Sequence, residues 1–403
     1  MQQDLIVFYI TNKGMNGQDK KAGYYASGYM PAGLAEYHPG KVFIVDIDAP
    51  ENQAFLNGDL RANLYAFPVD KDYTASAFRD YQKHQILFDE KMRHQVAMLV
   101  PYTSSEASPN MLRHIKQGYP ENVVYTNDPE SMAIHNSKGA LIRVKEDPEA
   151  SEFQGHINPQ TFISTLEDYQ RYRIQHRNFV LRSLRSTEGL GVYFHAPDYH
   201  EGQVEVVEEN PEDQQYTIDN LLQKGPLLAT KYVDTRQTGD TRVFVFYHPE
   251  THQMSVFQQG GRRMAPKATT DNRFPKCNVT SGGSATFIDL TEPQKKLALK
   301  IMKYYHDYYG MHMLGLDFFF GGDTSASHQG MILSEVNNSP DAFNCFYDQS
   351  ISEKPNPKKR GDYLVIQFLD NFYRYALETV KTSCLKGVIK GHQPAIIERQ
   401  QHV

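Results

Sequence analysis

The segment that most constrains this chain runs from Leu314 to Phe343. It reads LGLDFFF, then a loop rich in Gly, Ser and Asp, then GMILSEVNNSPDAF. Two apolar runs of strand length carry acidic or amide oxygens where a core strand would carry apolar side chains. Asp317 sits inside Leu316–Phe320, and Glu335 and Asn337 follow Met331–Leu333. Residues two apart in a strand share a face, so Glu335 and Asn337 point the same way. A hairpin through Gly321–Gly330 brings Asp317 beside them. Three hard oxygen donors then converge, which suits Mg²⁺ held by one or two carboxylates and the phosphates of a substrate. The plainer alternative is a pair of edge strands whose polar residues face water. Burying acids without a partner is costly, which favours a bound cation.

Length and composition narrow the setting. At 403 residues the chain has room for two or three domains. Hydrophobic residues make up 40% and charged residues 22%, as in ordinary globular proteins. No apolar run approaches the roughly 20 residues that span a bilayer, so no membrane partner is expected. The start, MQQDLIVFYITN, lacks the basic segment of a signal peptide. The three cysteines, Cys277, Cys345 and Cys384, are widely spaced and form no CxxC pair. Reduced thiols and a cytoplasmic location are expected. A net charge of −6 argues against general nucleic-acid binding.

Along the chain, Leu5–Ile10, Lys41–Ile47 and Val96–Val100 are buried-strand candidates, separated by helix-compatible stretches such as Ser76–His94. Strands alternating with helices imply an α/β domain with a largely parallel sheet, placed at residues 1–128. A second block, 129–224, holds strand candidates Phe179–Leu184 and Gly191–His195 around the turn Ser186–Gly191. Glu201–Gln215 is acidic and reads as an exposed loop. A third block, 225–390, holds the strand candidates Leu227–Val233, Thr241–His248 and Met254–Gln258, then the opening hairpin. Between them, Thr291 and Gln294 have the spacing of a capping box. Leu297, Ile301, Tyr304 and Tyr308 follow at helical spacing, and Gly310 fits a left-handed C-terminal residue. This helix reads as core scaffold. A final helix over about 362–383 presents Val365, Leu369, Phe372 and Val380 on one face. Residues 391–403 form a polar tail.

Other segments carry chemistry only in combination. Gly189 and Gly191 let backbone N–H groups approach a phosphate closely, although a plain hairpin turn has the same look. Arg182 projects from the preceding strand and can neutralise phosphate oxygens. Arg242 opens the strand GDTRVFVFYH; a cation at a strand start more often faces solvent. The run from Gly260 to Ser284 offers Arg262, Arg263, Lys267, Arg273 and Lys276 with Asn278 and the pair Gly282–Gly283. It is either a basic surface loop or an anion site.

Taken in order, these segments resemble the ATP-grasp superfamily, and within it the RimK-type and bacterial glutathione synthetase-like carboxylate–amine ligases. The resemblance covers roughly half the chain, from Val123 to Phe343. It implies an N-terminal α/β domain followed by two α+β subdomains that clasp a nucleotide. TNDPESMAIHNSKGALI is similar to the family's asparagine-led turn, helix and lysine, which makes Lys138 the first nucleotide-binding lysine. LRSLRSTEGLGVY is similar to the second strand and glycine loop, which implies ATP contacts from Arg182, Glu188, Gly189 and Gly191. Arg182 stands where the family usually has lysine, and its planar fork is bulkier than an ammonium. LLATKYVD looks like the hinge that holds adenine through the backbone of Lys231, Tyr232 and Val233. GDTRVFVF resembles the acid-x-Arg-Val strand, so Arg242 would lie near the transferred phosphate. The loop after it implies a catalytic Arg263 and substrate contacts from Arg273, Asn278, Gly282 and Gly283, with Ser339 beyond the hairpin. Pro275 and Lys276 stand where an arginine follows the phenylalanine in RimK-type proteins. Asp317, Glu335 and Asn337 match the ligands of two Mg²⁺ ions, with Mn²⁺ as a substitute.

The resemblance implies that MgATP phosphorylates a carboxylate, and that an amine displaces the phosphate to give an amide and ADP. The carboxylate and amine would belong to small molecules or peptides, and a homo-oligomer is one arrangement it suggests. Three rivals share the same signals: an ATP-grasp kinase, a ligase that modifies a protein tail, and a nucleotide-binding module without activity.

Overall fold

The computed structural model describes residues 5–11, 26–71, 85–102, 109–119, 121–135, 137–184, 192–195, 198, 218–235, 237–264, 277, 284–321, 330–339 and 364–385. The first sheet is built from short apolar strands: β1 (Ile6–Thr11), β2 (Val42–Asp46), β3 (Leu64–Pro68), β4 (Ile86–Phe88), β5 (Val96–Tyr102) and β6 (Val124–Tyr125). Their order is β4-β3-β2-β1-β5-β6. The run β2-β1-β5-β6 is parallel, while β3 and β4 are antiparallel additions at one edge. Every residue of β2 is buried, as a parallel strand covered on both faces requires. Part of the expected helical stretch Ser76–His94 is therefore a strand, Ile86–Phe88, whose side chains Ile86 and Leu87 are exposed. A three-residue strand is set by its partner β3 rather than by its own periodicity.

One face of this sheet is covered by the helices Ala26–Tyr37 and Leu364–Leu385. The two cross closely: a Cβ on Gly33 would come within 2.1 Å of the Ile366 side chain. The final helix buries Val365, Leu369, Phe372 and Val380, as its spacing predicts, and reaches Phe244 and Phe246 as well.

The second sheet is small and antiparallel: β7 (Gln160–Ile163), β8 (Phe179–Ser183), β9 (Val192–His195) and β10 (Leu227–Lys231), in the order β7-β10-β8-β9. The sequence grouped 227–233 with the later strands. Instead this strand ends at Lys231 and runs between β7 and β8. Local pattern gives a strand but not its neighbours, and here the partners lie on the N-terminal side. One face of the sheet packs Ile163, Phe179, Leu181, Leu227 and Ala229 against Tyr169 and Tyr172 of the helix Leu166–Gln175.

The third sheet contains β11 (Asp240–His248), β12 (Gln253–Val256), β13 (Gln259–Met264), β14 (Ser284–Asp289), β15 (Met313–Phe320) and β16 (Met331–Asn337). The path is β14-β13-β11-β15-β16, with β12 also paired to β11. The helix Glu292–Tyr309 lies behind it. Gln294 Oε1 accepts from the Thr291 N–H at 2.9 Å, and Gly310 ends the helix at φ 59°. Leu297, Ile301 and Tyr304 are buried, but Tyr308 is 44% exposed and Tyr305 takes the core position.

Asn127 connects the segment before the second sheet to the third. Fully buried, it uses both ends of its amide. Nδ2 donates to Met313 O and Asn338 O, at 2.8 and 2.7 Å, and Oδ1 accepts from the N–H groups of His312 and Met313, at 2.8 and 3.0 Å. The amide pins the start of β15 to the end of β16. Among the described residues, no helix is long and apolar enough to cross a membrane.

His135 lies buried nearby, 4.1 Å from the Tyr309 ring, with neither ring nitrogen hydrogen-bonded among the described residues. Burial, aided by Arg143, pulls it down from 6.5 to about 4. Its folded value lies below its unfolded value, so its contribution is complete above pH 6.5 and is lost as pH falls towards 4. His135→Phe is expected to remove about 3 kcal/mol of the acid-side loss of stability between those values. Urea unfolding across that pH range checks this, and an unchanged slope would count against it.

Candidate active site

Strand register assembles a charged row on one face of the third sheet. Across β11 and β13, Asp240 stands opposite Arg263. Across β11 and β15, Arg242 stands opposite Asp317. Across β15 and β16, Asp317 stands opposite Glu335, and Gly315 opposite Asn337. The other face of the same strands carries Val243, Leu316, Phe318 and Leu333 into the core. Opposite charges attract across the β11–β13 and β11–β15 boundaries, whereas Asp317 and Glu335 are a like-charge pair.

A bulge makes this row possible. Phe318 pairs with Leu333, but Asp317 pairs with Glu335, so Ser334 is the extra residue. Leu333 and Glu335 are two apart and would ordinarily share a face. The extra residue turns Leu333 into the core and Glu335 towards Asp317, as bulges beside functional sites commonly do. Ser334 Oγ donates to Asp317 O at 3.0 Å, which ties the irregular turn to the partner strand. Just before β11, Gly239 adopts φ 67°, and a Cβ there would lie 2.3 Å from Arg263 O. Glycine at that position lets β13 close against Asp240.

Asp317 is the centre of the row. Arg242 grips it with two bonds, Nε to Oδ1 at 2.7 Å and Nη2 to Oδ2 at 2.8 Å. Arg263 Nη2 donates to Oδ2 at 2.9 Å. Arg263 is itself held by two bonds to Asp240, at 2.7 and 2.8 Å. Asn337 Nδ2 donates to Asp317 Oδ2 at 3.3 Å and to Gly315 O at 3.4 Å, which leaves Oδ1 available to a cation. Burial alone would raise Asp317, but Arg242 and Arg263 outweigh it and hold the carboxyl below the ordinary carboxylate range. Burial raises Asp240 despite Arg263, and Asp317 adds to the rise.

The second sheet reaches into this row. Arg182 Nη2 donates to Glu335 Oε2 at 2.7 Å. Burial and the Arg182 charge pull the Lys138 ammonium down to about 8, against the attraction of Glu335. Burial opposes the ionised form of Glu335, yet Arg182 and Lys138 lower it. Three acids and four bases thus meet between the two sheets, leaving a positive surplus suited to an anion. Among the described residues, no group of three or more His, Cys, Asp or Glu side chains could hold a metal ion. The donor set is two carboxylates and one amide oxygen. It fits a hard cation that takes its other ligands from phosphate or water, such as Mg²⁺.

The comparisons agree with this architecture. No family model matches the chain. A probable alpha-L-glutamate ligase of Histophilus somni strain 2336 is 30% identical over 241 residues, 59% of this chain and 66% of that protein. Its counterpart in strain 129Pt matches over 42% of its length. The matched region thus falls short of two thirds of these relatives. The D-alanyl-alanine synthetase A structure from Vibrio cholerae aligns at TM-score 0.54 and 13% identity, covering 93% of this chain and 99% of that one. The N5-carboxyaminoimidazole synthetase from Staphylococcus aureus, complexed with ADP, aligns at 0.50 and 10%, covering 91% and 79%. The chain shares the ATP-grasp fold of these structures. Its sequence likeness is to these probable alpha-L-glutamate ligases.

The fold brings Lys138, Arg182, Arg242, Arg263, Asp317, Glu335 and Asn337 together. Lys231 is exposed, while Tyr232 and Val233 are buried beside it. The Lys231 N–H donates to Pro159 O at 2.9 Å, and the Tyr232 N–H to Asn178 O at 3.3 Å. The Val233 backbone makes no hydrogen bond among the described residues. Ser339 stands apart from the row, its Oγ 3.5 Å from Pro101 O at the end of the first sheet. Glu188, Gly189, Gly191, Arg273, Asn278, Gly282 and Gly283 lie outside the described residues. Sequence reasoning missed Asp240 as the partner of Arg263. The available signal was its spacing: Asp240 and Arg242 are two apart in one strand, so they share a face.

Removing Asp317 would leave two buried guanidiniums facing each other. Asp317→Ala is expected to lower unfolding stability by about 3 kcal/mol, the cost of breaking a buried ion pair from one side. Urea denaturation measures it, and a loss below about 1 kcal/mol would show that the arginines find other partners.

Proposed function

We propose that this chain is an ATP-dependent carboxylate–amine ligase, forming an amide from a small-molecule or peptide carboxylate and an amine. The observation that supports it most is the row from Asp240 to Glu335, met by Arg182 from the second sheet and by Lys138 from the turn before the helix Ala140–Glu146. A site with two carboxylates, one amide oxygen and four cations matches the demands of phosphoryl transfer, which are alignment and charge neutralisation rather than covalent chemistry. The likeness to glutamate ligases supports the choice of carboxylate and amine as reactants. A structural neighbour described as an ADP complex supports the nucleotide.

MgATP supplies the phosphoryl group that activates the carboxylate. Asp317, Glu335 and Asn337 would hold Mg²⁺, two ions in the full site, with Mn²⁺ able to replace them. Arg182 neutralises phosphate charge from the second sheet, and Lys138 does so from the turn before the helix Ala140–Glu146. Arg242 and Arg263 orient the reacting oxygens from the third, and Asp240 keeps the Arg263 fork in plane. The hinge Lys231–Val233 offers the free backbone of Val233 to the base. The division at 1–128, 129–224 and 225–390 is read as an N-terminal domain and two clasping subdomains, except that β10 (Leu227–Lys231) pairs with the strands of the middle one. A cytoplasmic location fits the widely spaced cysteines.

The direct test is an ADP-release screen of amino acids, dipeptides and acidic peptides with MgATP, with products read by mass spectrometry. An amide product supports the reading. A stable phosphorylated product formed without an amine would replace ligase by kinase. Glu335→Gln keeps an acceptor for Arg182 but removes a carboxylate. It is expected to cut ADP release at least about 100-fold with little change in unfolding midpoint. Full turnover in the folded variant would overturn the metal assignment.

A further inference from the structure

The second sheet has two faces with different tasks. Phe179, Leu181, Leu227, Ala229 and Ile163 face its own core. The opposite face carries Arg182, paired with Leu228 and Phe162, and one step along it Val180, paired with Thr230 and Gln160. Arg182 on this face bonds Glu335, so the face looks onto the charged row. Its Arg182 end is cationic. Its other end leads to the hinge at Lys231.

At that hinge end stands Asn158. Its backbone N–H donates to Leu333 O at 2.9 Å, immediately before the bulge on β16. Its Nδ2 donates to Lys231 O at 3.2 Å. One residue thus touches both the hinge and the strand that carries Glu335. Asn158 is 4% exposed, and its Oδ1 has no partner among the described residues. Two residues on, Gln160 shares the condition: its Nε2 is shielded from solvent and unpartnered. The ladder carries on past β7, since the Lys231 N–H bonds Pro159 O. Asn158 and Gln160 therefore follow each other along the side of the sheet that bears Arg182. A buried acceptor and a buried donor left open beside each other are costly unless a ligand completes them.

We propose that Asn158, with Gln160 beside it, reads the purine base: Asn158 Oδ1 accepts from a 6-amino group, and Gln160 Nε2 donates to a ring nitrogen. This rests on the nucleotide reading above and adds the residue that selects a 6-amino over a 6-oxo purine. The argument is chemical complementarity. A 6-oxo group presents an oxygen to an oxygen and leaves Oδ1 buried and unpaired. Sites built to bond a polar group discriminate strongly against analogues that lack it.

The test measures binding of ATP and of inosine triphosphate, each with Mg²⁺, to the full chain by titration calorimetry. The two nucleotides differ at the 6-position, share ribose and phosphates, and need no second substrate. The wild type is expected to prefer ATP by at least about 10-fold. Asn158→Leu is expected to shrink that preference by about 10-fold. Asn158→Asp keeps an acceptor but loses the Nδ2 donor to Lys231, and is expected to retain the preference. Thermal melting confirms that each variant is folded. A purely structural role would weaken both nucleotides equally or abolish the preference in both variants, and either result overturns the assignment. If the wild type binds both nucleotides with equal affinity, the base reading fails and the nucleotide site stands. If it binds neither, the nucleotide reading fails with it.

Discussion

The carboxylate of Asp317 is the constraint on which the rest of the site depends. It is almost fully buried, and it stays ionised because two guanidiniums surround it. An isolated buried carboxylate would take up a proton instead. The ion pairs exist because strand register places Arg242 opposite Asp317 and Arg263 opposite Asp240. Shifting β11 by one residue would turn both of its charged residues into the core. The apolar back of the sheet, with Val243, Leu316 and Phe318, fixes that register by burial. Hydrophobic packing on one face thereby sets the charge geometry on the other.

The same logic extends to the neighbouring sheets. Asn127 and Asn158 are buried amides that bond backbone groups on two separate elements each. Asn127 fixes both ends of the β15–β16 hairpin. Asn158 ties Lys231 to the strand before the bulge. Amides suit this task because each carries donors and an acceptor without a charge to desolvate. Asn127 is fully satisfied, whereas Asn158 is not, and that difference separates a structural clamp from a residue with capacity to spare.

Much of this was legible in the sequence because it is local. Acids inside apolar runs announced the Asp317–Glu335 hairpin. Thr291, Gln294 and Gly310 marked the ends of their helix through capping chemistry. The strands Phe179–Ser183 and Val192–His195 followed from apolar composition and the turn between them. What escaped is non-local. The bulge at Ser334 lets Leu333 pack with Phe318 in the core while Glu335 turns to Asp317, which no spacing rule encodes. The sheet to which Leu227–Lys231 belongs depends on β7 and β8. Ile86–Phe88 is a strand only because β3 lies beside it. Asp240 looked like an ordinary polar residue at a strand start until Arg263 was placed opposite it.

The charge arithmetic of the site also constrains how a ligand can enter. Both oxygens of Asp317 and one oxygen of Glu335 are already occupied by guanidinium N–H groups. A cation approaching alone would have to displace arginines from carboxylates and leave them buried without partners, which is unfavourable. A polyphosphate arriving with the cation removes that difficulty, since its oxygens can accept the arginine N–H groups as the carboxylates turn to the metal. Each charge then exchanges one opposite partner for another, and no buried charge is stranded. In the proposed function, the arginine–carboxylate pairs thus favour entry of metal and nucleotide together over entry of the metal alone. Asp240 has a distinct place in that exchange. It holds Arg263 by two bonds independent of Asp317, so the guanidinium keeps its plane and position while its third bond changes hands.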